Sequence, residues 1–281
     1  MILNLDQSFV LFPNETSIEY KSFVFSGGEP HIHIQSQLGD VEEVKLSTRI
    51  RSFQDMGLLF VAVDALKRMG INRIHLYLPY FPAARQDRVM RVGEPLSVKV
   101  YADILNSQSF QSITIFDPHS DVTAALLNNC RVVSNHKFIS KVIDDIEQDQ
   151  LQLVSPDQGA LKKVYGLSSC LGIDKVVECS KHRDVKTLQL SNFKVYTEDL
   201  NQNPCLVVDD ICDGGRTFIG LAKALKEKNA GDLYLAISHG IFSYGFEELL
   251  RYYKCVYTTD SFSTIEELPK SVKQFELKHI L

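Results

Sequence analysis

Short apolar runs recur along the chain, separated by stretches in which apolar positions return every three or four residues. The runs Ile74–Leu78, Ile113–Phe116, Leu151–Val154, Lys175–Glu178, Cys205–Val208 and Leu233–Ile237 are mostly continuous rather than alternating. Strands covered on both faces read that way. Helical spacing predicts helices over Leu58–Met69, Leu96–Asn106, Gly159–Cys170 and Thr217–Asn229. Such strand–helix alternation predicts an α/β chain of mainly parallel sheets flanked by helices.

The two halves echo each other. Met69-Gly70-Ile71-Asn72-Arg73-Ile74 closes a helix and opens a strand, and Leu171-Gly172-Ile173-Asp174-Lys175-Val176 does the same. Glycine suits the left-handed residue that ends many helices. Ile113-Thr114-Ile115-Phe116-Asp117-Pro118-His119 likewise matches Leu233-Tyr234-Leu235-Ala236-Ile237-Ser238-His239, each an apolar strand ending in a histidine. The spacing predicts two similar domains, a duplication, over 1–136 and 137–281. No Pro- or Ser-rich linker marks the seam, so they should pack closely, with the last residues folding back on the first domain.

At 281 residues the chain has room for one large or two medium domains. With 44% hydrophobic and 23% charged residues it is ordinary for a folded protein, which excludes wholesale disorder. The net charge of -5 argues against a nucleic-acid coat, so cations for a phosphate ligand must be gathered locally. The most apolar stretch, Met56 to Leu66, is broken by Asp64 and too short to span a membrane. MILNLDQSFVLFPN has no basic leader, so no signal peptide is expected. Six cysteines without a CxxC pair point to reduced thiols in the cytoplasm, with neither a disulfide framework nor a zinc site.

The densest chemistry lies in Cys205-Leu206-Val207-Val208-Asp209-Asp210-Ile211-Cys212-Asp213-Gly214-Gly215-Arg216-Thr217. A buried strand ends in two carboxylates, and a Gly-Gly turn leads into a helix. Backbone N–H groups at such a helix start bind phosphate, here with the Thr217 hydroxyl. The carboxylates suit the hydroxyls of an attached sugar, or a metal. The loop has neither the Lys-Ser/Thr ending of a P-loop nor the GxGxxG spacing. Four further segments carry polar groups after strands or in turns. Arg85-Gln86-Asp87-Arg88 offers cations for a polyphosphate and an amide for a base. His119 and Asp157, each after an apolar strand, could share one Mg²⁺ or hold its waters. Lys181 and Arg183 alternate along a strand end, so both can converge on one charge. Phe25-Ser26-Gly27-Gly28-Glu29 taken alone is a turn.

The Asp209–Thr217 segment resembles the ribose-phosphate fingerprint of the type I phosphoribosyltransferase fold. Its third acid, Asp213, makes it most similar to ribose-phosphate diphosphokinases, and the other four segments follow in that family's order. The resemblance spans Phe25 to about His239, most of the chain, and implies two phosphoribosyltransferase-like domains. It implies transfer of the β,γ-diphosphoryl group of Mg-ATP to the anomeric hydroxyl of ribose 5-phosphate, giving AMP and 5-phosphoribosyl 1-diphosphate for nucleotide biosynthesis. By the same resemblance Arg85, Gln86 and His119 bind ATP. Phe25, Gly27, Gly28 and Glu29 reach the adenine in a neighbouring subunit of a homo-oligomer. His119 and Asp157 hold Mg²⁺, and Lys181 and Arg183 are catalytic. Asp209, Asp210, Asp213, Gly214, Gly215, Arg216 and Thr217, with Arg183, take ribose 5-phosphate. The chain departs from the family at Gly27 (usually Asp or Asn), at Ser180 and His182 (usually Asp and Arg), and at Arg216 (usually Gly).

Rival readings share the loop. A phosphoribosyltransferase joining a base to the diphosphate needs neither the Arg85-Gln86 segment nor Lys181 and Arg183. A non-catalytic regulatory relative would be expected to lose the basic pair or Asp213, and a plain sugar-phosphate binder would do no ATP chemistry.

Overall fold

In the computed structural model the described residues are 1–183 and 190–281, with backbone alone for 182, 183 and 190–192. Strands β1 (Ile2–Asn4), β4 (Glu43–Ser47), β5 (Arg73–Tyr77), β6 (Ser112–Phe116) and β7 (Cys130–Val133) form a parallel sheet in that order. An antiparallel hairpin, β2 (Tyr20–Val24) and β3 (Pro30–Ile34), stands apart from it. Among the described residues the second sheet has seven strands: β8 (Gln152–Ser155), β9 (Val176–Arg183), β10 (Leu190–Val195), β11 (Cys205–Cys212), β12 (Leu233–Gly240), β13 (Cys255–Thr259) and β14 (Val272–Phe275). Their order is β10-β9-β8-β11-β12-β13-β14, parallel except for β10 against β9. The first sheet advances in one direction throughout. The second reverses between β8 and β11, and ligands of open α/β sheets bind outside the carboxyl ends of strands at such a reversal. Asp157 follows β8, and Asp209–Thr217 lies on the end of β11 and the turn after it.

The helices form for local reasons. Helix α1 (Phe53–Arg68) opens on a capping box, Ser52 and Asp55 exchanging side-chain bonds with each other's backbone N–H, and buries Met56, Leu59, Ala62, Val63 and Leu66. It ends at Gly70, φ 90°, as the glycine predicts; Gly172 closes α5 (Leu161–Leu171) in the same way, φ 67°. Between them lie α2 (Ser97–Asn106), α3 (Asp121–Leu126) and α4 (His136–Ile146). Beyond β11 come α6 (Arg216–Glu227), which buries Phe218, Leu221, Ala222 and Leu225, and the short α7 (Glu247–Leu250). Among the described residues no helix is long and apolar enough to cross a membrane.

The two halves share a core. Phe138, Ile139, Val142 and Ile146 of α4 pack with Phe9, Leu11 and Phe116 of the first half and with Leu277 and Ile280 near the end. Deleting a side chain as buried as Phe138 would cost about 3–5 kcal/mol. The fully buried Arg49 adds a polar tie: its guanidinium bonds Asp6, Ser8, the Asp260 carbonyl and Thr264.

Several elements depart from the sequence reading. Strand β9 runs to Arg183 rather than stopping at Glu178, because β10 pairs antiparallel with it. Strand β11 continues through Asp209 and Asp210 to Cys212, because β12 runs on beside it to Gly240. The apolar pattern stops earlier than the ladder, since strand ends at a crevice carry polar side chains. Helix α4 carries apolar helical spacing yet lies outside the expected helices, as do α3 and α7, and β1–β4, β7, β10, β13 and β14 lie outside the expected strands.

Candidate functional site

Strand β11 delivers Asp209 and Asp210 to the crevice, the turn holds Asp213, and α6 begins at Arg216. Gly215 at the cap sits at φ 74°, a left-handed value that favours glycine. A Cβ on Gly214 would come within 2.9 Å of the Tyr244 ring. Among the described residues no side chain caps α6, so its first N–H groups are left for an anion. Thr217 is half-buried in this first turn, and the exposed Arg216 places its guanidinium 5.7 Å from the Tyr244 ring centre.

The first domain meets this loop through two cross-domain pairs. His119 Nδ1 lies 2.7 Å from Asp210 Oδ2, and Arg85 Nη2 donates to Asp213 Oδ2 at 2.8 Å. Burial alone would raise the Asp210 pKa. The His119 hydrogen bond and the charges of His119 and Lys163 outweigh burial and hold it far below the usual carboxylate range. His119 is raised correspondingly, chiefly by its bond to Asp210. Asp213 is lowered, chiefly by its bond to Arg85. Asp209, which keeps part of its side chain open, is pushed well up by desolvation and by the adjacent Asp210 charge. The adjacent acids therefore divide their roles: Asp210 is ionised and paired, while Asp209 holds its proton to higher pH.

Asp157 forms the third wall. Its Oδ1 accepts the N–H groups of Gly159 (2.9 Å) and Ala160 (3.2 Å), and its Oδ2 faces Lys181 Nζ at 3.8 Å. Lys181 thus stands in the crevice beside a carboxylate whose charge also reaches Asp209. The Arg183 backbone continues β9; its side chain lies outside the described residues. Gln86 is exposed beside Arg85, its N–H bonded to the Ala83 carbonyl at 2.8 Å.

The hairpin turn stands apart. Phe25, Gly27, Gly28 and Glu29 are all exposed, and Phe25 packs on Phe23 and His31. Among the described residues, no hydrogen bond or ion pair joins this turn to the crevice.

Sequence reasoning left the two strand-end histidines to be told apart by resemblance, and the structure separates them physically. His239 is fully enclosed, with Nδ1 against Ser261 Oγ (2.7 Å) and Nε2 against the carbonyls of Phe116 (3.0 Å) and Asp117 (3.2 Å). It docks one domain's strand end on the other. His119 is partly open, and with Nδ1 on Asp210 its Nε2 is left for a ligand. Asp117, Asn135, Lys163 and Ser238 were given no role from sequence, yet they line or support the same crevice. A polar residue directly after a buried strand was the available signal for Asp117.

Among the described residues, no three His, Cys, Asp or Glu side chains are gathered as a ready cage. Mg²⁺ keeps most of its waters and takes one or two protein ligands beside substrate phosphate oxygens. The Nε2 of His119 and the Oδ2 of Asp157 fit such a part.

Residues 16–108 match the N-terminal domain of ribose phosphate pyrophosphokinase, and residues 125–279 match the phosphoribosyl transferase domain. The chain is 30% identical over 222 residues to a ribose-phosphate pyrophosphokinase of Mycoplasma pneumoniae, covering 78% of this chain and 67% of the relative. It is 29% identical over 224 residues to one of Thermococcus kodakarensis, covering 79% and 77%. A solved phosphoribosylpyrophosphate synthetase of Mycobacterium smegmatis superposes with a TM-score of 0.84 at 22% identity, over 100% of this chain and 95% of that one; this similarity bears on the fold.

Proposed function

Since the chain belongs to the ribose-phosphate pyrophosphokinase family, we propose that its crevice carries out diphosphoryl transfer from ATP to ribose 5-phosphate. The anomeric hydroxyl attacks the β-phosphorus, the bond from that phosphorus to the α-phosphate oxygen breaks, and AMP leaves as 5-phosphoribosyl 1-diphosphate forms. Such chemistry depends on positioning and on neutralising charge. One arrangement supports it above all: His119–Asp210 and Arg85–Asp213 bring the ATP-side residues of one domain onto the phosphate loop of the other.

In this reading the uncapped start of α6, with Gly214, Gly215 and Thr217, seats the 5-phosphate, and Arg216 swings from Tyr244 to add a cation. Asp209 and Asp210 hold the ribose hydroxyls, and Asp213 shapes the turn, its carbonyl accepting the Ser243 N–H. Arg85 and Gln86 bind ATP, which exchanges Asp213 for phosphate at the guanidinium. His119 and Asp157 would hold Mg²⁺, which would neutralise the polyphosphate. Lys181, with Arg183, moves to the β-phosphate as charge redistributes in the transition state. Phe25, Gly27, Gly28 and Glu29, exposed on the hairpin turn, serve the adenine of a neighbouring subunit.

The test is to incubate the full chain with ATP, Mg²⁺ and ribose 5-phosphate and separate the nucleotides. AMP formed only when the sugar is present supports the reading. ADP, or unchanged ATP, overturns it.

A further inference from the structure

Beside the crevice runs a contact that none of the motifs contains. Lys163, in the first turn of α5, donates through Nζ to Asp117 Oδ1 at 3.1 Å and to the Pro118 carbonyl at 2.5 Å. Its side chain is 39% exposed, so it faces the cleft rather than the core. Asp117 Oδ2 is held in turn by Asn135 Nδ2 at 3.0 Å and by the Ser238 hydroxyl. The backbone at Asp117 stands at φ 36°, a left-handed value that persists only where the surroundings over-determine it. His119 follows two residues later.

The other end of the contact matters equally. Helix α5 grows directly out of the Asp157 turn, with Lys163 six residues beyond Asp157. A single ammonium therefore ties the strand end carrying His119 to the helix that follows Asp157. The tie crosses from one domain to the other, and the same small cavity is lined by Asp209 and Asp210. An ammonium with three donors can hold a carboxylate and a carbonyl at once. Without it, Asp117 would lose its ammonium partner and Asp210 one of the two cations that hold it ionised.

We infer that Lys163 is a positioning residue, clamping Asp117 and the Pro118 carbonyl so that His119 stands in register with Asp157 and Asp210. This rests on the proposed function, in which those residues serve ATP and its metal. It adds a residue outside the substrate-binding set that sets their spacing. Partners that orient a ligating side chain typically cost about 10–100-fold when removed.

The test uses the full chain with Lys163→Met, Lys163→Arg, Asp117→Asn and the double variant Lys163→Met/Asp117→Asn. Each is assayed for AMP formation under varied ATP and varied ribose 5-phosphate, beside a thermal melt. Lys163→Met should lose about tenfold or more in kcat and raise KM for ATP, while KM for ribose 5-phosphate stays within about twofold. Lys163→Arg, which can still fork between carboxylate and carbonyl, should recover most of the loss. The double variant should be no slower than Lys163→Met, since both break the same contact. It also leaves no unpaired carboxylate, so it keeps the test available if Lys163→Met folds poorly. Unchanged kcat and KM for ATP in Lys163→Met would overturn the clamp, as would losses that multiply in the double variant or a lowered melting point with intact kinetics. A wild-type chain that forms no AMP removes the functional reading and the clamp with it. An active wild type with an equally active Lys163→Met removes the clamp alone.

Discussion

His119 Nδ1 and Asp210 Oδ2, 91 positions apart and carried by different sheets, lie 2.7 Å from each other. The pair holds Asp210 ionised despite its burial and raises the His119 pKa. It links the strand end of the first sheet to the Asp209–Thr217 loop of the second.

That link should appear as non-additivity. His119→Ala and Asp210→Ala are each expected to lower kcat/KM for AMP formation. In the double variant the losses should combine with a coupling of about 0.5–3 kcal/mol, the usual range for groups in contact. Steady-state kinetics of the four proteins measures it, and strictly multiplicative losses would show that the pair does not act as a unit.

Arg85 and Asp213 form a more exposed pair, 47% and 40% open at the side chain. Such a pair contributes at most about 1 kcal/mol to stability. Arg85→Ala should therefore leave the melting temperature nearly unchanged. It should raise KM for ATP by about tenfold or more, as expected when a cation on a polyphosphate is lost. Calorimetry beside ATP titrations separates the two effects.

Lys181 meets Asp157 at 3.8 Å, too far for a hydrogen bond, which leaves the ammonium able to move to a substrate phosphate. Lys181→Ala should reduce kcat by about 10²-fold or more, the loss that follows removal of a preorganised charge donor, while the fold survives. An unchanged turnover number would take Lys181 out of the chemistry.

His239 gives the pH dependence of the fold. Its enclosure holds the imidazole pKa below the ordinary 6.5, so the unfolded chain accepts a proton that the folded chain refuses. Stability is intact above pH 6.5 and falls as the pH drops from there toward the depressed folded value, by at most about 1.4 kcal/mol per pH unit for this one proton. His239→Gln should melt lower at neutral pH yet show a shallower decline between pH 6.5 and 5. Melting curves across that range, wild type beside variant, would reveal equal slopes if burial of this ring were irrelevant.

Much of this molecule is written locally. The continuous apolar runs specify the strands because both faces are covered, and Gly70 and Gly172 end helices because the left-handed residue needs no neighbour to explain it. The Asp209–Thr217 segment is legible because strand, acids, glycine turn and helix start are contiguous. Other features depend on partners far along the chain. The extents of β9 and β11 depended on β10 and β12, which pair with them. Which histidine stays open to the crevice depended on Ser261 and the Phe116 carbonyl enclosing His239 while Asp210 receives His119. Arg85 reaching Asp213, and Lys163 reaching Asp117, join residues 128 and 46 positions apart. A sequence fixes which groups are available, but their meeting follows from two domains docking around a common core, and a buried or half-buried charge finds its partner only once that docking has excluded water.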